Sequence, residues 1–178
     1  MTAPAPEESR ERLLAEVQAF LDDNAIAWEL GARAGELVLS LPGEHKLTTV
    51  CSLVARKASV SVSAFVIRHP DENHAAFYRY LLQRNLRLPG LAYAIDAHGD
   101  VFVTGRVSAR AFDAAYLDSL LGVVLEAADG AFDDLLVLGF LSSMRREWAW
   151  RVSRGESTAN LAAFRHLLDP AGNHDPGP

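Results

Sequence analysis

Residues 59–67 read Ser-Val-Ser-Val-Ser-Ala-Phe-Val-Ile, so that apolar and small polar side chains alternate. Successive side chains of a β-strand point to opposite faces of the sheet, and a strand with one buried face therefore shows a period of two. The serines and Phe65 fall on one face of this strand. The pattern predicts that the other face, which points to the core, carries Val60, Val62, Ala64 and Val66.

Strand patterns lie on both sides of this segment. The preceding ones cover residues 26–30, 37–41 and 46–56, with the breaker Pro42-Gly43 between the last two. The following ones cover residues 93–97 and 101–107, and Gly99 between them supplies the positive φ of a tight hairpin. Four strands with short connections predict an antiparallel meander, followed after a helix by a hairpin.

Apolar residues at helical spacing mark the remaining segments. They predict helices over residues 6–24, from Asp71-Glu72-Asn73 to about residue 85, from Ser108 through Phe112 to Leu125, over residues 132–150, and from Ser157 to Pro170. Ser, Asp and Asn side chains accept hydrogen bonds from the free N–H groups of a helix start. We therefore expect Asp71 or Asn73 to cap the second helix and Ser108 to cap the third.

The order of these patterns predicts the fold class. Grouped strands with helices at both ends are typical of an α+β domain with a mostly antiparallel sheet flanked by helices, here with extra C-terminal helices. A doubly wound α/β fold would need helices between successive strands, which this order provides only once. We expect one domain over residues 7–168, a helical extension over about 130–168, and disordered ends at residues 1–6 and 169–178.

The composition is that of a soluble protein. The chain has 178 residues, 49% of them hydrophobic and 22% charged, and a formal net charge of −6. A binder of nucleic acid or of an anionic membrane would carry a basic surface, so we expect neither partner. One cysteine suits a reducing compartment, and we find no signal-peptide pattern and no apolar run of about 18 residues. These observations predict a cytoplasmic protein.

The densest polar cluster is His69-Pro70-Asp71-Glu72-Asn73-His74. Such side chains are able to hold a divalent metal, but the spacing matches no known zinc motif, and a helix start explains the same residues. Cys51 lies in an apolar strand pattern, which favours inert packing in the core. The sequence also lacks GxGxxG, GxxxxGK[ST] and GxSxG motifs. We predict no catalytic residue, no cofactor, no metal site and no enzyme.

The end of the fourth helix pattern combines arginines with two tryptophans at residues 145–151, a composition that is unusual for a solvent-exposed helix. Trp and Arg are enriched at interface hot spots, and tryptophans also stack on nucleic-acid bases. The acidic chain disfavours nucleic acid, whereas packing within the domain and a protein contact both stay open. We predict a partner or dimer contact at Arg146, Trp148, Trp150 and Arg151.

Several motifs together resemble those of one bacterial family. They are Tyr78-Arg79-Tyr80-Leu81-Leu82-Gln83-Arg84-Asn85, Leu91-Ala92-Tyr93-Ala94-Ile95-Asp96, Gly99-Asp100-Val101-Phe102-Val103, Gly139-Phe140, Arg146-Glu147-Trp148-Ala149-Trp150-Arg151, and Arg154-Gly155-Glu156-Ser157 with Asn160-Leu161. In this order and spacing they resemble the YbjN family, often labelled sensory transduction regulators, and the last three resemble its actinobacterial branch. The resemblance covers roughly residues 8–168.

The resemblance implies a fold similar to the type III secretion chaperones, a curved antiparallel sheet flanked by helices, and it brings no catalytic residues. It also suggests scaffold roles. Asn85, between the second helix and the Pro89-Gly90 turn, is expected in the left-handed conformation that Asn tolerates at helix ends. Gly99-Asp100 is expected to build the hairpin turn.

The function that we expect is a non-catalytic, chaperone-like or regulatory module that binds a client or regulatory protein. Small-molecule sensing between sheet and helices is one alternative, and an enzyme that uses His69, Asp71 and His74 is another. The apolar residues within 112–125 and 132–140 exceed what one sheet face covers. This excess favours a homodimer, although the same helices are also able to wrap a single subunit.

Overall fold

The structure is a computed structural model that describes residues 6–157 together with Phe164 and Leu168. Its helices are α1 (Pro6–Asp23), α2 (His74–Asn85), α3 (Ala114–Ala128) and α4 (Phe132–Arg154), with a short 3₁₀ helix at Ala109–Ala111. Its strands are β1 (Ala27–Leu30), β2 (Glu36–Pro42), β3 (Thr48–Ala55), β4 (Ser59–Ile67), β5 (Leu91–Ile95) and β6 (Val101–Ser108).

The six strands form one antiparallel sheet in the order β1-β2-β3-β4-β6-β5. The helix α2 carries the chain from β4 past the position of β6 to the far edge, and β6 then returns to pair with β4. The predicted α+β class, with an antiparallel sheet, flanking helices and extra helices after the last strand, is confirmed. Pro6, which the domain prediction placed in a disordered end, is the first residue of α1.

One face of the sheet carries the core. The four predicted core residues of β4 are 0–2% exposed, and Phe65 on the opposite face is 38% exposed, so the predicted alternation is confirmed. Leu21 of α1, Phe77 of α2 and Val124 of α3 are completely buried in the same hydrophobic cluster. The serines of β4 line the opposite face, so the sequence of this one strand distinguishes the buried face of the sheet from the other.

Two helix starts differ from the prediction. Ser108 caps the 3₁₀ helix, where its hydroxyl accepts from Arg110 N, and Asp113 caps α3 by accepting from Tyr116 N at 2.8 Å. The prediction was wrong because an extra turn separates Ser108 from α3, and Phe112 lies in the connection between them.

The predicted cap of α2 is also wrong. Asn73 has a left-handed backbone with φ 51°, and its side chain makes no cap hydrogen bond. Its amide Nδ2 donates to Leu138 O instead, while the backbone N–H groups of Asp71 and Glu72 donate to Gly139 O. These groups hold the start of α2 against α4, a long-range contact that helix-start patterns do not encode.

The two predicted turn roles have different outcomes. Gly99 has a φ of +86°, as the hairpin requires. Asn85 does not adopt the left-handed conformation. It is the last residue of α2, and its Oδ1 accepts from Tyr93 N at 2.7 Å, which ties α2 to β5.

The apolar surface of α3 and α4 is covered within one subunit. The large hydrophobic side chains that are exposed among the described residues include none from 112–125 or 132–140. These side chains are therefore buried within one subunit, because α3 packs on α1 and the sheet and α4 packs on α2 and the sheet, as the alternative to a dimer predicted. A homodimer itself stays a prediction. The helix predicted after Ser157 and the predicted disorder of residues 1–5 and 169–178 lie outside the described residues.

Candidate functional site

A groove lies between the end of β4 and one side of α4, with a volume of about 560 Å³. We call it the β4–α4 groove. Its walls are mainly apolar, with charged groups at the rim. The lining residues are Lys46, Phe65, Val66, Ile67, Arg68, Phe132, Leu136, Phe140, Ser143, Met144, Glu147 and Phe164.

Both walls follow from local geometry. The register between β4 and β6 shifts between Phe65 and Ile67, which breaks the strict alternation of the strand. Val66 and Ile67 are therefore both buried, although they are neighbours in sequence. On the opposite wall, Leu136, Phe140 and Met144 recur every four residues and so share one side of α4.

Lys46 lies at the centre of one end of the groove. Its Nζ donates to Phe65 O and Val66 O, each at 2.9 Å, and lies 5.4 Å from the ring centre of Phe65 and 5.5 Å from that of Phe132. Burial lowers the pKa of Lys46, and the carboxylate of Asp129 opposes that shift. The ammonium group therefore binds the irregular end of β4 and places a positive charge against two aromatic rings.

Arg68 lies farther along the groove, over the middle of the α4 wall. Its guanidinium lies 4.4 Å from the ring centre of Phe140 and forms a two-bond ion pair with Asp71. The hydrogen bonds from Arg68, helped by the Ser143 hydroxyl, hold the pKa of Asp71 below its usual value against the opposing effect of burial. Asp71, a member of the polar cluster at residues 69–74, is thus paired with an arginine.

Phe164 comes from beyond α4 and lines the same groove. Its ring centre lies 6.3 Å from that of Phe132 in a tilted arrangement. An aromatic side chain from a later part of this chain therefore already lies at one end of the groove.

The four predicted contact residues lie in the second half of α4, but not on one side of it. Arg146 is exposed, and its charge adds to the hydrogen bonds from Arg68 and Ser142 that lower the pKa of Asp71 and Glu72 respectively. Trp148 is half-buried, whereas Trp150 is 44% exposed with the Arg154 guanidinium 4.9 Å from its ring centre. Arg151 donates to Glu147 at the rim of the groove. Residues two apart on a helix point in different directions, so the two tryptophans do not form a single surface.

The histidines of the predicted cluster form a ring pair. The ring centres of His69 and His74 are 5.1 Å apart, and the backbone N–H of His69 donates to Asp100 Oδ1. Within residues 6–157 and the two later described positions, no group of three or more His, Cys, Asp or Glu side chains is placed to hold a metal ion.

Cys51 is completely buried in β3, as predicted, and burial raises the pKa of its thiol to about 12. Only the thiolate reacts with disulfide reagents, so we expect native Cys51 to react at least about a hundredfold more slowly than in denaturant at pH 8. Absorbance after addition of an aromatic disulfide measures both rates. A fast native reaction would contradict the burial, and Cys51→Ala supplies the blank.

Comparison with known proteins identifies the family. A family model named YbjN, described as "Putative bacterial sensory transduction regulator", matches residues 13–136. The chain belongs to the YbjN family. This family member is 50% identical over 139 residues to the uncharacterized protein ML2442 of Mycobacterium leprae, covering 78% of this chain and 76% of that one. It is also 50% identical to the uncharacterized protein Mb0497 of Mycobacterium bovis, covering 77% and 75%. The predicted family and its actinobacterial branch are confirmed.

Two solved structures share the fold of this YbjN protein. A chain of the HopA1–SchA chaperone–effector complex gives a TM-score of 0.51 at 12% identity, covering 71% of this chain and 97% of that chain. A chain of the ExsC–ExsE complex gives a TM-score of 0.51 at 18% identity, covering 72% of this chain and 94% of that chain. The predicted chaperone-like fold is confirmed. Among the described residues, none of the helices has the length and apolar content that a membrane crossing needs.

Proposed function

We propose that this YbjN protein is a non-catalytic, cytoplasmic module that binds a segment of another polypeptide in the β4–α4 groove. The observation that carries the proposal is Phe164, an aromatic side chain from another part of the chain that lines the groove against Phe132. The groove thus accepts an apolar side chain presented by a polypeptide.

The shape and lining of the groove support this function. A volume of about 560 Å³ holds two or three large side chains, and the walls from Ile67, Leu136 and Phe140 are apolar and buried. Desolvated aromatic and aliphatic pockets of this kind contribute most of the free energy of protein association. The charged groups that line the groove are held in ion pairs or in hydrogen bonds to carbonyl oxygens, which favours binding over catalysis.

The charges at the rim indicate what the partner carries. The Lys46 ammonium is bonded to carbonyl oxygens and forms no ion pair within 4 Å among the described residues, although Asp129 acts on it from farther away. Arg68 and Arg151 lie beside the groove with one carboxylate each. A partner segment with apolar side chains and acidic neighbours complements this arrangement. We therefore propose an extended acidic and apolar segment as the ligand.

The groove surface continues along α4 toward the predicted contact residues. Trp150 follows Ser143 by seven residues, which is about two helical turns, so the two share a side of the helix. Arg151 follows Glu147 by one turn and pairs with it. We propose Trp150 and Arg151 as contacts for the same partner beyond the end of the groove, with Arg146 and Trp148 on neighbouring sides.

Peptide selection on the purified full chain tests the proposal. We expect selected peptides to combine two or more large apolar residues with acidic ones. Met144→Glu, which places a carboxylate in the groove, is expected to weaken their binding at least about tenfold in fluorescence anisotropy. The matched control is Leu82→Glu on α2, where the side chain is 67% exposed and outside the groove.

The variant Phe164→Ala tests whether the Phe164 side chain competes with the partner for the groove or forms part of the wall that binds the partner. If Phe164 competes with the partner, its removal strengthens peptide binding a few-fold, while circular dichroism and the melting temperature show that the fold is kept. Selection of no peptide, equal weakening by Leu82→Glu, or weaker binding after Phe164→Ala would each overturn the proposal in this form.

A further inference from the structure

A second cleft lies away from the β4–α4 groove and shares no residue with it. It is formed by the first part of α1, the turn that joins β3 to β4, and the 3₁₀ helix Ala109–Ala111. Its volume is about 930 Å³, which is within the usual range of small-molecule sites.

The charge of this cleft opposes that of the whole chain. Three separate segments contribute cations to its lining, and the one carboxylate that lines it is Glu16. The full sequence carries a formal net charge of −6, so chance placement does not favour a basic cluster. The cations are Arg10 and Arg12 from α1, Arg56 and Lys57 from the turn, and Arg110 from the 3₁₀ helix.

Most of this positive charge is not compensated within the described chain. The Nε of Arg12 lies 3.8 Å from Oε1 of Glu16, and both side chains are exposed, so this ion pair contributes little free energy. No carboxylate of the described residues lies within ion-pair distance of Arg56, Lys57 or Arg110. Repulsion among these cations is relieved when an anion binds between them.

Arg10 adds a second, independent indication. One of its guanidinium nitrogens pairs with Glu7 at 3.2 Å, but its Nε is buried and has no hydrogen-bond partner among the residues that the structure describes. Buried donors in proteins are nearly always bonded, so Arg10 has hydrogen-bonding capacity that its described neighbours do not use. The part of the Arg10 guanidinium that stays exposed is available to an anion in the cleft.

The cations are held by an ordered backbone. In the turn, Arg56 N donates to Ser59 O at 2.8 Å, and Ala109 N donates to Ala58 O at 3.0 Å, which joins the turn to the 3₁₀ helix. The Ser108 hydroxyl accepts from Arg110 N. Because these segments are fixed to one another, little ordering is needed when a ligand binds.

The floor of the cleft is apolar. Leu13 and Phe112 line it and are 8% and 5% exposed. A complementary ligand has an apolar organic part that contacts the floor and a group of high negative charge density that contacts the cations. Arginine forks match phosphate oxygens in two-bond geometry, and adjoining phosphate groups concentrate several charges in a small volume.

We propose that this cleft binds a small organic anion with two or more phosphate groups, of the nucleoside polyphosphate class. Long polyanions are disfavoured, because the acidic remainder of the surface repels them once they extend beyond the cleft. The site is independent of the polypeptide groove, so this YbjN protein would carry separate sites for a partner and for a phosphorylated metabolite.

Isothermal titration of the full chain with ATP, inorganic pyrophosphate and adenosine tests the proposal. We expect ATP to bind most tightly, pyrophosphate more weakly, and adenosine not at all at about 1 mM. The double variant Arg56→Gln/Lys57→Gln is expected to lose at least about tenfold in ATP affinity, since it removes two unpaired cations. The matched control is Arg79→Gln/Arg87→Gln, which removes two exposed cations of α2 and the turn after it, outside the cleft.

Each outcome either supports the site or overturns it. Equal losses in the two double variants would show general attraction of anions and overturn the cleft as a site. No ATP binding at about 1 mM, or equal binding of adenosine, would overturn the proposed chemistry. Tighter binding of a single-stranded oligonucleotide than of ATP would overturn the choice of a small ligand.

Discussion

Replacement of Asp129 by alanine is expected to lower the free energy of unfolding by about 3 kcal/mol. Asp129 lies between α3 and α4, is 6% exposed, and accepts from three successive backbone N–H groups, those of Glu44, His45 and Lys46. Its removal leaves these donors without their acceptor in a partly buried turn. Urea unfolding followed by circular dichroism measures the change.

The control for this loss is Asp118→Ala, which removes an exposed carboxylate of α3. We expect a change of less than about 0.5 kcal/mol there, because exposed positions without specific contacts tolerate substitution. Equal stabilities of the two variants would contradict the structural role of Asp129.

The contribution of Asp129 also depends on pH. Burial alone would raise the pKa of Asp129, but the hydrogen bonds from the backbone of Lys46, Glu44 and His45 hold it below its usual value. A carboxyl with a lowered pKa in the folded state stabilises the fold above its unfolded pKa of about 3.9, and loses that effect as pH falls through the folded pKa. The difference in unfolding free energy between wild type and Asp129→Ala should therefore shrink below about pH 4.

Replacement of Gly139 by valine is expected to lower the free energy of unfolding by about 3 kcal/mol, because the added side chain overpacks the contact between two helices. Gly139 lies in α4 where the helix meets the start of α2. A Cβ atom there would lie 2.9 Å from Phe77 Cδ2 and 2.9 Å from Pro70 Cβ. Because Phe77 is completely buried, it has no free space to move into, and the two helices must separate.

Gly122→Val in α3 is the matched control, since a Cβ atom at Gly122 meets nothing within 4 Å. Valine has a slightly better helix propensity than glycine, so this variant is expected to gain a few tenths of a kcal/mol, roughly. Opposite signs in urea unfolding would support the close contact of α4 with α2. A gain in stability at both positions would rule the contact out.

The sequence predicted the sheet well because its signals are local. Strand alternation and the breakers Pro42-Gly43 and Gly99 depend on near neighbours, and the strand with the cleanest period lies in the middle of the sheet. The caps of α2 and the role of Asn85 could not be predicted in this way. Their polar groups bond to Leu138, Gly139 and Tyr93, which only the folded chain brings close.

The groove was missed for the same reason. Lys46 and Phe65 are far in sequence from Phe132 and Met144, and no local pattern joins them. One signal was present in Phe65, a large aromatic residue on the serine face of its strand. The predicted contact residues Trp150 and Arg151 follow the groove-lining Ser143 and Glu147 along α4, and their role as contacts stays a prediction.

Lys46 belongs to two parts of the molecule at once, because its amide donates to Asp129 at 2.7 Å while its ammonium group holds the end of β4 in the groove. We therefore expect occupancy of the groove to be linked to the stability of the hydrogen bonds that Asp129 accepts, by the same free energy in both directions. A bound segment should slow hydrogen exchange at the amides of residues 44–46, although of these three residues only Lys46 lines the groove.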